Sequence, residues 1–148
     1  MAGDSGRESP ATLFFNPLRP SLGASIAASR FALHRMSDPE SSFAAESDSL
    51  LRGILGQLDS FDPDELEADY SAGVLKITFA DRRVCILNRQ GAARQIWLAE
   101  GASAWHFERD PAGRWVDTKG RGGIDAVLSA VLTKRMGRVV AISAPSKT

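Results

Sequence analysis

The chain has 148 residues, 18 acidic and 18 basic side chains and a hydrophobic content of 43%. This length suits one domain with an extension, and the balanced composition argues against a disordered, collagen-like or coiled-coil protein. Apolar runs stop well short of the about 20 residues that a membrane-spanning helix needs, so no membrane partner is expected, and the single cysteine, Cys85, excludes an internal disulfide.

Residues 1–36 contain Pro10, Pro17 and Pro20 and have no sustained apolar period. This composition predicts an unstructured leader that contributes little to the core. From residue 9 to residue 36 the leader has arginines but no acidic residue, as in a mitochondrial transit peptide. Early acidic residues and the helix-breaking prolines argue against that interpretation, and Met36 could itself be a true N-terminus. Both interpretations stay open.

Between Ser41 and Asp59, apolar residues recur at spacings of three, four and seven, which is the period of one helical face. A first helix is therefore predicted there. Asp62 and Pro63 then interrupt the chain, because the residue before a proline is pushed out of the helical region. The apolar positions of this helix are Phe43, Leu50, Leu51, Ile54, Leu55 and Leu58.

The following segments have the two-residue alternation of β-strands. After an acidic first strand, further strands are predicted over residues 74–79, 83–88, 94–99, 105–108 and 114–117. The helical period returns at Ile124 and Gly137 is a suitable stop. The order of a helix, about six antiparallel strands and a second helix predicts an α+β two-layer sandwich. Both helices are expected on one face of the sheet, and the other face is expected to be free. This domain is expected to span residues 37–143, with residues 144–148 as a tail.

Charge is segregated within the predicted domain. Residues 37–72 hold ten acidic residues and one basic residue, whereas residues 73–148 hold thirteen basic and six acidic residues. Clustered carboxylates attract hard cations, so weak metal binding is one interpretation, and an ordinary solvated face is the other. EF-hand and HExxH spacings are absent from the sequence. The cluster at the end of the first helix and along the first strand, here called the acidic ridge, is Asp59, Asp62, Asp64, Glu65, Glu67 and Asp69.

Strand alternation separates Ile96 and Leu98 from Gln95 and Trp97. If the aliphatic pair faces the helices, Trp97 lies on the free face, where an aromatic side chain among amides is typical of a protein-contact hot spot. A core position for Trp97 is the alternative. The candidate partner-binding residues are Asn88, Gln90, Gln95 and Trp97.

His106 lies between Trp105 and Phe107, so it is expected to project away from both. A metal-ligand role is possible for this histidine, but a surface or partner contact is the preferred interpretation. The sequence has no phosphate-binding loop, no RNP pattern and no strongly basic pI, so nucleic acid is not an expected partner.

These segments together resemble the frataxin family. Frataxins have a similar order of helix, acidic strand, GVLKITF, a strand ending in NRQ, QIWLA, a WHF-type strand, a tryptophan-containing strand and a helix, and the likeness covers about residues 43–142. Its most specific part joins Asn88–Gln90 to Gln95–Leu98. The WHFE strand is more similar to the bacterial CyaY group, which implies a bacterial cytoplasm. A mitochondrial matrix location, with residues 1–36 as transit peptide, is the alternative.

The resemblance implies an iron-binding accessory or regulator of iron–sulfur cluster assembly, acting on a cysteine desulfurase–scaffold complex as iron donor or iron sensor. The resemblance also implies that the acidic residues bind Fe²⁺ or Fe³⁺ weakly and contact the basic desulfurase. The open face of the sheet is implied to contact the scaffold complex. The departures from the bacterial pattern, no histidine early in the first helix and no paired carboxylates near its end, predict a lower iron affinity. The implied metal residues are Glu46, Asp48, Asp59, Asp62, Asp64, Glu65, Glu67 and Asp69.

A non-enzymatic monomer is expected, with iron-dependent oligomers as a further option. A ferroxidase or iron-storage protein is the enzymatic alternative, in which ridge carboxylates hold Fe²⁺ for oxidation. A metal-independent adaptor that binds partners through the sheet surface is the third interpretation.

Overall fold

A computed structural model describes residues 38–145, so the predicted leader and the last three residues of the predicted tail lie outside it. Helix α1 spans Pro39–Leu58 and confirms the first predicted helix. None of the helices in this described range is long and apolar enough to cross a membrane. The buried positions of α1 follow the helical period and are Phe43, Ser47, Leu50, Leu51, Ile54 and Leu58.

Six strands follow in a meander, and each strand pairs antiparallel with its neighbour in the chain. The β1–β2 turn consists of Ala72 and Gly73, which both have positive φ, as the tight two-residue hairpin turn requires. The predicted antiparallel sheet of about six strands is thus confirmed. The strands are β1 Leu66–Ser71, β2 Val74–Phe79, β3 Val84–Gln90, β4 Gln95–Glu100, β5 Ser103–Arg109 and β6 Trp115–Asp117.

Helix α2 spans Ile124–Met136 and ends at Gly137, whose left-handed backbone (φ 69°) lets its N–H donate to the Thr133 carbonyl. The apolar sides of α1 and α2 join a single core with one face of the sheet. Ile96 and Leu98 belong to that face and are fully buried. The α+β sandwich with both helices on one face is therefore the observed architecture, and the opposite, helix-free face carries the alternate residues of every strand.

The segment from Val139 to Pro145 returns along both helices. Val140 and Ile142 are buried, and the backbone N–H of Ser143 donates to Gln57 Oε1 at 2.9 Å. Ala144, assigned to the tail on sequence grounds, packs partly against the core, and Pro145 lies against Gly53 of α1. This segment has no regular period, so sequence patterning did not indicate that it closes the core between the helices.

Candidate functional site

Trp97 lies on the helix-free face, as the alternation of β4 predicts, and the alternative of a core position is wrong. Its side chain is 36% exposed and stacks on the His106 ring, with centroids 4.3 Å apart and planes 14° from parallel. The indole Nε1 donates to Gln95 Oε1 at 2.9 Å, which fixes the other end of the ring. Two neighbouring contacts therefore hold the exposed indole in one orientation.

The strand register aligns the other predicted partner-binding residues with Trp97. Asn88 lies directly opposite Trp97, and Gln90 lies opposite Gln95. Both pairs project from the helix-free face, since they alternate with the buried positions of β3 and β4. The structure thus brings Asn88, Gln90, Gln95 and Trp97 together, and it adds His106, which is cross-strand to Trp97.

Apolar residues extend this surface toward β2. Ile86 is 40% exposed and Val74 38% exposed, and both lie on the helix-free face. Ile86 pairs with Ala99 on β4 and with Lys76 on β2, one row away from the Trp97 stack. The sequence analysis did not identify Ile86 and Val74, although the alternation in β2 and β3 places both on the face opposite the buried residues. We call the set Val74, Ile86, Asn88, Gln90, Gln95, Trp97 and His106 the sheet surface.

The strand that carries His106 is anchored by a buried carboxylate. Asp117 is 4% exposed, and its side chain accepts hydrogen bonds from the backbone N–H groups of His106, Lys119 and Arg121. The Arg121 guanidinium also donates to it at 2.8 Å. Chiefly because of this Arg121 contact, the pKa of Asp117 falls from 3.8 to about 2. Asp117 is therefore ionised at neutral pH and fixes β5 against β6.

Part of the acidic ridge lies at the exposed edge of the sheet. Glu67 and Asp69 project from β1 on the helix-free face, and with Asp59 they line an open groove of about 500 Å³. Lys76 lines the same groove and lies directly opposite Asp69 across the β1–β2 pair. This cation partly neutralises the acidic face, because opposite charges on facing strand positions attract each other.

Asp62, Asp64 and Glu65 build the turn that leads into β1. Asp62 Oδ1 accepts the backbone N–H of Asp64 at 2.9 Å, and the Glu65 carboxylate pairs with Arg138 at 2.9 Å. The first contact gives Asp62 a structural role in the turn, and the second joins Glu65 to Arg138, which follows α2, and partly neutralises the Glu65 carboxylate.

Glu46 and Asp48 lie apart from each other, because positions two residues apart on a helix project to nearly opposite sides. Asp48 accepts the Tyr70 hydroxyl at 2.5 Å and pairs with Arg52 at 2.8 Å. The Tyr70 hydrogen bond, followed by the Arg52 contact, lowers the pKa of Asp48. Glu46 instead pairs with Arg109 near the β5–β6 end of the sheet.

The predicted metal residues are consequently spread over several places. Within residues 38–145, no three His, Cys, Asp or Glu side chains lie close enough together to hold a metal ion. The exposed carboxylates Asp59, Glu67 and Asp69 offer the hard oxygen donors that Fe²⁺, Mg²⁺ and Mn²⁺ accept, but only as a loose group in which water would complete the coordination. Cys85 is fully buried, and burial raises the pKa of its thiol to about 12, so it is an inert core residue.

Comparison with known proteins supports one family. The Frataxin-like domain matches residues 36–138. The iron-sulfur cluster assembly protein CyaY of Dechloromonas aromatica is 34% identical over 104 residues, which cover 70% of this chain and 97% of that protein. The protein of the same name from Delftia acidovorans is 38% identical over 86 residues, which cover 55% of this chain and 77% of the relative.

Solved structures share the fold. The frataxin from Psychromonas ingrahamii superimposes with a TM-score of 0.65 at 24% identity, covering 72% of this chain and 99% of that one. A trimeric yeast frataxin complexed with ferrous iron superimposes with a TM-score of 0.56 at 23% identity, covering 63% and 87% of the two chains.

Proposed function

The chain belongs to the frataxin-like family, and from that premise we propose that it is an accessory protein of iron–sulfur cluster assembly. Its curated relatives carry the name of that process. The proposed role is binding rather than catalysis: the sheet surface contacts the scaffold complex, the acidic ridge contacts a basic desulfurase, and iron is a weakly held cargo. Because these relatives are bacterial, the proposed location is a bacterial cytoplasm.

The observation that carries this proposal is the Trp97–His106 stack on the helix-free face. Exposed aromatic side chains that are already held in one orientation lose little conformational entropy on binding, which is why they dominate protein interfaces. Ile86 and Val74 supply exposed apolar area beside the stack, and the amides of Asn88 and Gln90 supply polar contacts at its border. In protein complexes, the centre of the interface is usually apolar and aromatic and becomes buried on binding, and a polar rim surrounds it. The sheet surface has this arrangement.

Iron binding on the ridge is proposed as weak. Glu67, Asp69 and Asp59 provide suitable oxygen donors, but Lys76 lies among them and reduces the local negative potential. Replacing Lys76 with threonine removes this cation and should raise the affinity for Fe²⁺ or Mn²⁺ several-fold. Paramagnetic broadening of the Glu67 and Asp69 amide signals by Mn²⁺ measures the change, and equal titration midpoints in both proteins would contradict the proposed site.

The partner contact is tested in a reconstituted assembly reaction with cognate desulfurase and scaffold. Trp97→Ala should change the rate of cluster formation and weaken binding to the complex by about 2 kcal/mol, as expected for a hot-spot aromatic. Val139→Ala is the matched control, since Val139 is an apolar residue with 87% exposure outside the sheet surface. If both variants behave like the wild type, the sheet surface is not the contact.

The ridge contact is tested by removing one charge at a time. Asp69→Asn should weaken desulfurase binding, whereas Asp125→Asn, which removes an exposed charge at the start of α2, should leave it unchanged. Because exposed charges are screened over about 8 Å at physiological ionic strength, the difference should shrink as salt rises. A salt-independent difference would argue for a structural effect of the substitution instead.

Two measurements separate this role from the alternatives. A ferroxidase predicts oxygen consumption when Fe²⁺ is added, so consumption above the buffer rate would replace the proposal with an enzymatic function. A metal-independent adaptor predicts partner affinities that are identical with and without Fe²⁺, whereas the proposed iron-linked accessory predicts that they differ.

A further inference from the structure

The outer edge of β1 is an open hydrogen-bonding edge. Just before β1, the Glu65 carbonyl accepts the Ala80 N–H, so the backbone of Glu65 faces the side of β2. In an antiparallel pair, every second residue directs its N–H and C=O toward the neighbouring strand. Glu67 and Asp69 therefore also direct their backbone groups toward β2. The backbone N–H and C=O groups of Ala68 and Tyr70 therefore point away from the sheet. Within residues 38–145 no strand lies beyond β1, which is the first strand of the sheet order.

The opposite edge of the sheet is different. Strand β6 has three residues, and its central residue, Val116, forms a further antiparallel bridge with Gly123. It therefore offers little free edge. Strand β1 has six residues and contains neither proline nor lysine, two of the devices by which proteins block edge strands.

The side chains around this edge define what could lie beside it. On the helix-free face an added strand would meet the carboxylates of Glu67 and Asp69. On the helix side it would meet the side chains of Ala68 and Tyr70 and the partly buried ring of Phe61. Phe61 lines the same 500 Å³ groove, and the buried Leu58 side chain forms part of its wall. Because side chains alternate along a strand, the complementary sequence has basic residues at every second position and apolar residues between them.

A second copy of this strand does not fit. In an antiparallel β1–β1 pair centred on Ala68, Glu67 of one copy would lie opposite Asp69 of the other. Like charges at directly opposed positions are destabilising. The same carboxylates that oppose self-pairing are complementary to a basic strand.

We propose that the β1 edge binds an extended basic–apolar segment of a partner protein as a seventh, antiparallel strand. Backbone hydrogen bonds to Ala68 and Tyr70 provide the pairing, Glu67 and Asp69 select positive charge, and the Leu58–Phe61 groove takes the apolar side chains. The inference rests on the proposed partner contact of the acidic ridge and adds the form in which that partner binds, namely strand addition rather than contact between two charged surfaces.

The test uses the full chain and a synthetic six-residue peptide in which arginine alternates with valine, followed by NMR. Binding should slow the hydrogen exchange of the Ala68 and Tyr70 amides and leave the Glu67 and Asp69 amides, which already pair with β2, unchanged. A peptide with the same side chains but methylated backbone nitrogens should bind about tenfold more weakly, since two backbone hydrogen bonds are lost.

Further variants separate pairing from charge. The Ala68→Pro variant lacks one outward N–H, and its ring also restricts the local backbone. It should weaken binding by about threefold, since one backbone hydrogen bond is lost, whereas the Ala68→Ser variant should not weaken it. Glutamate in place of arginine in the peptide should abolish binding. Equal affinity of the methylated and unmethylated peptides, or protection of no β1 amide, would overturn strand addition. That outcome would leave the cluster-assembly role untouched, because the reconstituted reaction tests it independently.

Discussion

Asp117 offers the sharpest test of the forces that hold this fold in place. Its buried carboxylate accepts three backbone N–H groups and pairs with Arg121, whose guanidinium also donates to the Ala104 carbonyl. Asp117→Asn removes the charge and turns an NH₂ group toward these donors. Arg121 is 40% exposed, but the Asp117 side chain is buried, and removing the charge of a buried carboxylate that accepts several hydrogen bonds costs about 3 kcal/mol. For a domain of this size, that loss corresponds to roughly 13 °C in Tm.

The pH dependence of this loss has a defined sign. The pKa of Asp117 is lowered in the folded protein from 3.8 to about 2, so its stabilising contribution is complete above the unfolded-state pKa. That contribution disappears as the pH falls from about 4 toward 2. The difference in unfolding free energy between the wild type and Asp117→Asn should therefore be constant from pH 7 to 5 and shrink below pH 4.

Urea unfolding at a series of pH values measures this difference directly. Asp110→Asn is the matched control, because Asp110 also pairs with an arginine four residues later. That arginine is 76% exposed, against 40% for Arg121, and the Asp110 side chain is 15% exposed, against 0% for Asp117. Exposed pairs contribute about 0–1 kcal/mol, so the control should lose much less stability. Equal losses in both variants, or a gap for Asp117→Asn that persists unchanged at pH 2, would refute the reasoning.

The remaining predictions concern single contacts. A double-mutant cycle of Trp97→Ala and His106→Ala should give a coupling of about 0.5–1.5 kcal/mol in unfolding experiments, and zero coupling would mean that the stack contributes nothing. Cys85 should react with a thiol reagent only at the rate of unfolding, so rapid labelling of the native protein would contradict its burial. Gly137→Ala should cost about 1 kcal/mol in chemical denaturation because of its positive φ, and a neutral effect would contradict the left-handed cap.

The periodicity of apolar residues in the sequence was enough to predict most of the helices and strands. The alternation in β4 separated Ile96 and Leu98 from Trp97, because neighbouring residues of a strand project to opposite faces. It did not decide which of the two faces is buried, and the structure decides it by placing Ile96 and Leu98 in the core. The i, i+3, i+4 spacing of α1 identified its buried side. Strand alternation and helical spacing depend only on residues close together in the chain, so they can be recognised from the sequence alone.

The candidate site depended on features that cross between elements. The Trp97–His106 stack follows from the β4–β5 register, and the proximity of Lys76 to Asp69 follows from the two-residue turn before β2. Helical geometry could have separated Glu46 from Asp48, because their spacing of two residues already implies opposite sides of α1. The pairing of Glu46 with Arg109, in contrast, is a tertiary contact between distant parts of the chain and has no sequence signature.

The meander order of the sheet has a kinetic consequence. Each strand pairs with its immediate neighbour in the chain, so every hairpin closes a short loop at a small entropic cost. Completing the core requires contacts between distant parts of the chain, since the hydrogen bond between Gln57 and Ser143 joins positions 86 residues apart. Local pairing favours fast folding, and the late closure of α1 against the returning Val139–Pro145 segment is expected to govern unfolding. Substitutions at Val140 or Ile142 should therefore shorten the lifetime of the native state while leaving the rate of folding nearly unchanged.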